Sequence, residues 1–294
     1  MTPAPLRTLL LALCVACQPT PDPATQPAPV SKPAATPTKA GSKAASGQPP
    51  PAKGPAAKNY SVDLFAKVKE FAKNRPDATD GEFYVYRSDH ATVHMHLIGV
   101  GQMCPMHIHR STHEATVIVS GQPEVVHVYG KAGALKREER RVPPGQLVYS
   151  WPFSGHQWTN VESAPQGNLV IASPRFDGNL YLHADDDRML PGPPPTLIDP
   201  AQALAESSAS ELQDTGLLDG QLFLALVRGP LQVHRDPARD TILYVAHGTG
   251  ELDGLPLRPG MAAVLSGGDP VELKATSEAG LAAWVFSPPR PESG

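Results

Sequence analysis

The sequence predicts an all-β protein built as two related antiparallel barrels or sandwiches, and three observations carry that reading. From Glu82 onward apolar and polar residues alternate with a period of two, in "EFYVYRS", "ATVHMHLIGVG", "ATVIVSG", "EVVHVYG", "QLVYSWP" and "NLVIASP". Residues two apart share one face of a strand, so this is the pattern of a sheet with a buried face. Gly, Pro or charged turns separate the runs, and no long helical pattern lies between them, which indicates antiparallel connections. The strands then resume in a similar order as "QLFLALVRG", "TILYVAHGTGEL", "MAAVLSGG", "VELKATS" and "LAAWVFSPP", which predicts a second domain of the same kind.

Two helices interrupt the pattern. "YSVDLFAKVKEFAKNRP" is amphipathic: Ser61 can cap it, Leu64, Val68 and Phe71 share a face, and Pro76 marks its end. "LPGPPPTLIDP" breaks the strand pattern, and Asp199-Pro200 reads as a cap with proline at the first helical position, opening a weak helix to about Asp214. The expected division is therefore a first β domain over 60–190, a connector with that helix over 191–220, and a second β domain over 221–290. "ADDDRML", just before the connector, lacks the ligand spacing of a calcium site and reads as a solvated loop.

The N-terminus belongs to neither domain. "MTPAPLRTLLLALCVAC" places one basic residue, Arg7, before a short apolar run and small residues, and the run is far below the roughly 20 residues that span a bilayer. It reads as a signal peptide over 1–17, so the protein is expected to be exported. The ending "LCVAC" resembles the lipobox of bacterial lipoproteins, which implies lipidation of Cys17 and a periplasmic or cell-surface protein held to a membrane by that anchor alone. Cys14 stands where leucine is usual, so an ordinary secretory signal remains the alternative. Residues 18–59 are rich in Pro, Ala, Thr, Ser, Gly and Lys, with no aromatic residue and one acid, Asp22. Such a segment cannot bury enough apolar surface to offset the entropy of ordering, and reads as a disordered tether. At about 3.1 Å per residue it reaches on the order of 100 Å.

Charge excludes one class of partner. Six of the 25 Lys and Arg and one of the 29 Asp and Glu precede Tyr60, so the remainder carries a net charge of about −9, which disfavours nucleic acid. Beyond Cys14 and Cys17 the only cysteine is Cys104, which leaves no intramolecular disulfide for the mature domains.

The chemistry concentrates in "GQMCPMHIHRSTHEATVIVSG", Gly101 to Gly121. His107 and His109 share a face only on a strand. The rival reading, a four-apart helical pair of His109 and His113, is opposed by "EATVIVSG", a β-branched run closing on glycine. Glu114 then lies on the strand returning across a hairpin, and "GQLVYSWPFSGHQWTN" brings in His156. Three imidazoles and one carboxylate suit a single divalent transition metal, one of Fe, Mn, Ni, Cu, Co or Zn.

These two segments resemble the paired motifs of the cupin superfamily. The first motif's glycine, His-x-His, glutamate and closing glycine fall on Gly101, His107, His109, Glu114 and Gly121. The second runs from Gly145 to His156 and Asn160, with Trp151 where proline is usual and Phe153 where glycine is usual. The resemblance implies a jelly-roll-like barrel with metal ligands His107, His109, Glu114 and His156. The second domain resembles a degenerate copy: His234 stands at the first ligand position, but Asp236, Thr241 and Val271 occupy the others, so this domain is expected to be metal-free and to serve packing or dimerisation.

His94 and His96 alternate on one strand and face either the same cavity or solvent. Cys104 reads as a buried inert thiol, Met103, Met106, Trp151, Phe153 and Trp158 as pocket wall or core, and His113 as pointing away from the site. Four protein ligands leave about two positions open on a six-coordinate ion, the hallmark of a catalytic rather than a structural metal. The resemblance implies a metal-dependent oxygenase or related lyase acting on a small molecule. The alternative is a non-catalytic metal- or small-molecule-binding protein. No acid, base or other catalytic side chain is assigned by spacing.

Overall fold

The structure is a computed structural model that describes residues 59–75, 78–131, 133–176, 178–182 and 192–289. The signal peptide with Cys17, the tether over 18–58 and the "ADDDRML" loop lie outside the described residues. The first part of the fold comprises β1 (Tyr60–Asp63), α1 (Leu64–Asn74), β2 (Asp80–Arg87), β3 (Thr92–Ile98), β4 (Met103–Ile108), β5 (His113–Ser120), β6 (Glu124–Lys131), β7 (Ala134–Arg141), β8 (Leu147–Ser150), β9 (Gly155–Thr159), β10 (Gln166–Ser173), β11 (Leu180–Tyr181) and β12 (Thr196–Ile198). After α2 (Pro200–Glu206) come β13 (Glu211–Leu217), β14 (Leu222–Val227), β15 (Leu231–Val233), β16 (Thr241–Gly248), β17 (Gly250–Leu252), β18 (Leu255–Leu257), β19 (Met261–Leu265), β20 (Val271–Ala275) and β21 (Leu281–Phe286).

Each barrel is a pair of antiparallel sheets. The first joins a six-stranded sheet, β12-β8-β5-β10-β3-β2, to a five-stranded one, β11-β4-β9-β6-β7. The second joins β1-β19-β16-β21-β14-β13 to β15-β20-β17-β18. The two six-stranded sheets press their outer faces together. Val93, Met95, Val117, Leu169 and Tyr149 from the first barrel share one core with Tyr244, Val264, Trp284 and Phe286 from the second. Polar ties cross this seam: the Trp284 indole donates to Gly145 O at 3.2 Å, and the Tyr86 hydroxyl to Asp240 at 3.1 Å. The second barrel's interior is a separate apolar cluster that includes Leu243, Val245, Leu273 and Val285. The central strands of the six-stranded sheets, such as β3, β5, β10 and β21, are thus buried on both faces, which explains their near-continuous apolar runs.

The helices close the seam. Leu64, Val68 and Phe71 of α1 are buried as the periodicity predicted, each contributing about 1.5–3 kcal/mol by leaving water. The start of α1 differs from the expectation. Tyr60–Asp63 is a strand in register with β19, Val62 opposite Ala262, and Asp63 rather than Ser61 caps the helix by accepting from Ala66 N at 3.1 Å. A strand bonded to an available edge satisfies more backbone groups than a frayed helical turn. The turn into β19 must stay bare for this: a Cβ on Gly260, at φ +84°, would meet the Phe65 ring at 2.6 Å.

α2 carries the expected Asp199 cap, which accepts from Ala201 N at 2.9 Å, but it ends at Glu206 instead of near Asp214. The residues beyond form β13, whose register with β14 sets Glu211 opposite Leu226. The connector over 191–220 therefore supplies β12 to the first barrel and β13 to the second.

Candidate metal centre

His107, His109, Glu114 and His156 converge, and one ligand atom from each lies within 4.8 Å of the others. All four are buried. A bulge in β4 sets the arrangement. Cys104 pairs with Trp158 and His107 with His156, so one extra residue is accommodated between them, where Pro105 sits. A bulge re-aims the side chains that follow, and it tolerates a proline that a regular ladder would not. His109 lies just past the end of β4 and Glu114 is the second residue of β5. The two strands belong to different sheets rather than to the expected hairpin, so the short turn between them crosses from one sheet to the other and brings both side chains to the cluster.

The hydrogen bonds orient every imidazole the same way. Nδ1–H donates to a backbone carbonyl in each: Pro105 O for His107 at 2.7 Å, Gly178 O for His109 at 3.1 Å, and Ser154 O for His156 at 3.2 Å. In a neutral ring this fixes the tautomer and leaves Nε2 as the lone pair. His109 Nε2 then stands 2.9 Å from Glu114 Oε2, two acceptors face to face, and His156 Nε2 is buried without a hydrogen-bond partner 3.6 Å from Oε1. Only a proton or a cation between them reconciles such a pair. Burial acts to raise the Glu114 carboxyl, but the neighbouring His156 and His109 outweigh it and hold it well below the usual carboxylate range. Burial, followed by His156, pushes His107 well below the ordinary histidine value. Thr116 Oγ1 donates to Glu114 Oε1 at 2.8 Å and steadies the carboxylate. Neutral imidazoles and an ionised carboxylate are the forms that bind a transition metal, so the donor set fits one.

A cavity of about 110 Å³ opens beside this cluster. His107 and Glu114 reach its wall, and β3 contributes His94 and His96, both of which line it. Burial drives His94 down to about 4, so it is a neutral ring at ordinary pH. Space of this size holds a single-ring molecule or a few waters.

No protein-family model and no curated protein matches the chain. Solved structures do. A mutant salicylate 1,2-dioxygenase from Pseudoaminobacter salicylatoxidans matches with TM-score 0.56 and 16% identity, covering 81% of this chain and 86% of that one. A deletion mutant of oxalate decarboxylase from Bacillus subtilis matches with TM-score 0.51 and 14% identity, over 79% and 77%. A cupin 2 conserved barrel domain protein from Leptotrichia buccalis matches with TM-score 0.53 and 11% identity, over 81% and 99%. The chain has the cupin fold in two copies. Sequence identity this low establishes the fold and leaves the activity open.

In the second cupin barrel the corresponding positions look different. His234 follows β15, Asp236 accepts from Ala238 N at 2.8 Å and lies 3.5 Å from Arg239 Nε, and Arg239 donates onward to Ser287 O at 2.8 Å. The Asp236 carboxylate is thus engaged by a turn and a guanidinium. Among the described residues, the four of the first cupin barrel form the one cluster with metal-ligand spacing.

The remaining predicted residues fall as follows. His113 points away from the cluster and meets the Tyr149 hydroxyl at 2.6 Å. Cys104 is buried and its thiol is pushed up to about 12 by burial, a protonated and unreactive state. Met106 and Trp158 are core, Phe153 and Trp151 pack against core clusters, and Met103 is 54% exposed at the cavity rim. Asn160 ties the two cupin motifs together: its amide donates to Ile98 O and Gly99 O at 3.0 Å, and its backbone N–H to Gln102 O at 2.9 Å. Sequence reasoning missed His127, which sits opposite His156 in the β6–β9 register, buried with its Nδ1 unpartnered. It also missed Asn168, a polar residue in the otherwise apolar run "NLVIASP".

Proposed function

We propose that the first cupin barrel holds one divalent transition metal on His107, His109, Glu114 and His156 and that the protein is an oxygenase or related lyase for a small molecule. The observation that carries this is the set of inward Nε2 lone pairs facing an ionised carboxylate, beside a cavity large enough for one small molecule. The bound metal would supply Lewis acidity or redox chemistry at that spot. The chain's own residues hold the rings through three carbonyl bonds, fix the carboxylate through Thr116, and offer neutral His94 as a hydrogen-bonding partner. Two of the similar structures are named for a dioxygenase and a decarboxylase, and the former has been crystallised in complex with gentisate, at 15% identity to this chain. Those names support the reaction classes.

The test is elemental analysis with product assays across a panel of catechols, thiols and small carboxylates. About one metal per chain is expected, lost or severely loosened in His107→Ala, His109→Ala and His156→Ala, and unchanged in His234→Ala. Wild-type-like metal binding in the first three variants would sink the site. Metal binding with tight ligand uptake and no turnover would identify a binding protein instead.

The export reading belongs to the same proposal: a lipid on Cys17 and the Pro-rich tether would hold the enzyme on a membrane surface. Cys17→Ser is expected to move the protein from the membrane fraction to the soluble one. If both forms fractionate as soluble, the anchor is absent.

A further inference from the structure

We propose that the cavity of the first barrel selects a neutral or cationic hydroxyl-bearing molecule and turns carboxylates away; this rests on the metal-centred reading above. Beside the cluster, on the sheet that carries Glu114, the wall is a polar strip across three strands. Glu82 on β2 pairs with His96 on β3, and His96 pairs with Asn168 on β10, all three lining the cavity together with Asp80 and His94. Asp80 and Glu82 are exposed and stand at the mouth, on the edge strand of the sheet.

No lysine or arginine lines the cavity among the described residues. Of the guanidinium groups close by, Arg87 lies over the Tyr84 ring at 5.3 Å and Arg175 pairs with Asp89 at 3.7 Å. Among the described residues, Asp80, Glu82 and Glu114 set three carboxylates against the one proposed divalent ion, which leaves their sum net negative with the metal bound. An entering carboxylate would lose hydration and meet like charge at the mouth, while an ammonium group would be drawn in.

The inner wall asks for a ligand that can hydrogen-bond. His94 Nδ1 and Asn168 Nδ2 are buried without partners, the residues being 5% and 1% exposed. The Asn168 carboxamide spends one end on Gln166 at 2.8 Å, so its other end remains for a ligand. Buried polar atoms without partners are rare and costly, and two on residues of one cavity wall indicate that a ligand completes them; a hydroxyl, both donor and acceptor, serves either. A hydroxyl placed inside and an amine or nothing charged placed outside meets both demands.

Three probes share one ring and differ in charge: dopamine, 4-methylcatechol and 3,4-dihydroxyphenylacetate. Their paired hydroxyls suit both a metal and the Asn168 carboxamide. Calorimetric titration of the metal-loaded full chain at low salt is expected to show the first two binding at least about tenfold tighter than the carboxylate. Asp80→Asn with Glu82→Gln should shrink the gap between ammonium and carboxylate at least about fivefold, since it removes the charge and keeps the shape. Asn168→Leu should weaken all three probes without reordering them. The inference is overturned if the carboxylate binds as tightly as dopamine, if the double variant leaves the ratio unchanged, or if none of the three binds. His107→Ala separates the two readings. Charge preference that persists with affinity undiminished in this variant defeats the metal-centred reading alone, and a metal-loaded protein that prefers the carboxylate defeats this inference alone.

Discussion

Phe153 adopts φ +63°, the left-handed conformation that glycine takes without strain, and its N–H donates to His109 O at 2.7 Å. The turn of the second motif is therefore kept although the glycine is not, with the ring packed against the Met106 and Ile108 cluster. His107, His109 and Glu114 were legible in sequence because they lie within eight residues, and His156 because it falls at its place in the second motif that starts at Gly145. His127 was not, because a lone histidine in "EVVHVYG" carries no spacing to a partner, and only the β6–β9 register brings it beside His156. Burial, then His156, lowers His127 to about 3, and burial lowers His94 to about 4. Both are depressed below the unfolded value near 6.5, so above that pH neither affects stability. As pH falls below it, the unfolded chain takes up protons that the folded one refuses, and stability drops toward the folded values. Each histidine costs about 2 kcal/mol at pH 5 relative to pH 7. Urea unfolding with chelator present should show His127→Gln losing about 2 kcal/mol less than wild type over that interval; an equal loss would mean His127 is already protonated or solvated in the native state.

Among the elements, the strands buried on both faces announced themselves as apolar runs, and two kinds of segment did not. β7, "ALKREERR", is an edge strand of charges exposed along most of its length, where pairing with β6 supplies structure that composition cannot reveal. β1 was hidden differently: "YSVD" runs on into a good helical pattern, and only the distant β19 edge makes it a strand. That tertiary pairing overrides local preference. β1 also covers an edge that would otherwise offer its backbone to another chain. Tyr60→Gly combined with Val62→Gly removes the side chains that hold it, including the Tyr60 hydroxyl bond to Val85 O. The expected result is a loss of about 2–4 kcal/mol in urea unfolding and concentration-dependent association by size-exclusion chromatography. Unchanged stability would show that β1 only rests on the edge it occupies.

For the whole molecule, duplication was readable from the recurring glycine-bounded strands, but the joining of the copies was not, because no sequence pattern states which outer face meets which. The structure shows one core shared by both six-stranded sheets, sealed by Leu64 and Phe71 of α1 and Leu204 of α2. The second barrel thereby packs behind the sheet that carries Glu114 of the candidate site. Trp284 is the clearest link, since its ring is 1% exposed in the shared core and its indole reaches Gly145, the residue that opens the His156 motif. Trp284→Ala should leave a cavity and an unpaired carbonyl, costing about 3–5 kcal/mol. If the two barrels unfold as one unit, that loss appears in both. Urea titrations of the metal-loaded protein followed by far-ultraviolet circular dichroism and by metal release should give coincident midpoints, and Trp284→Ala should lower both together. Metal release that keeps its wild-type midpoint while the dichroism splits into two steps would show the barrels to be independent folding units, and the shared core to be a contact surface only.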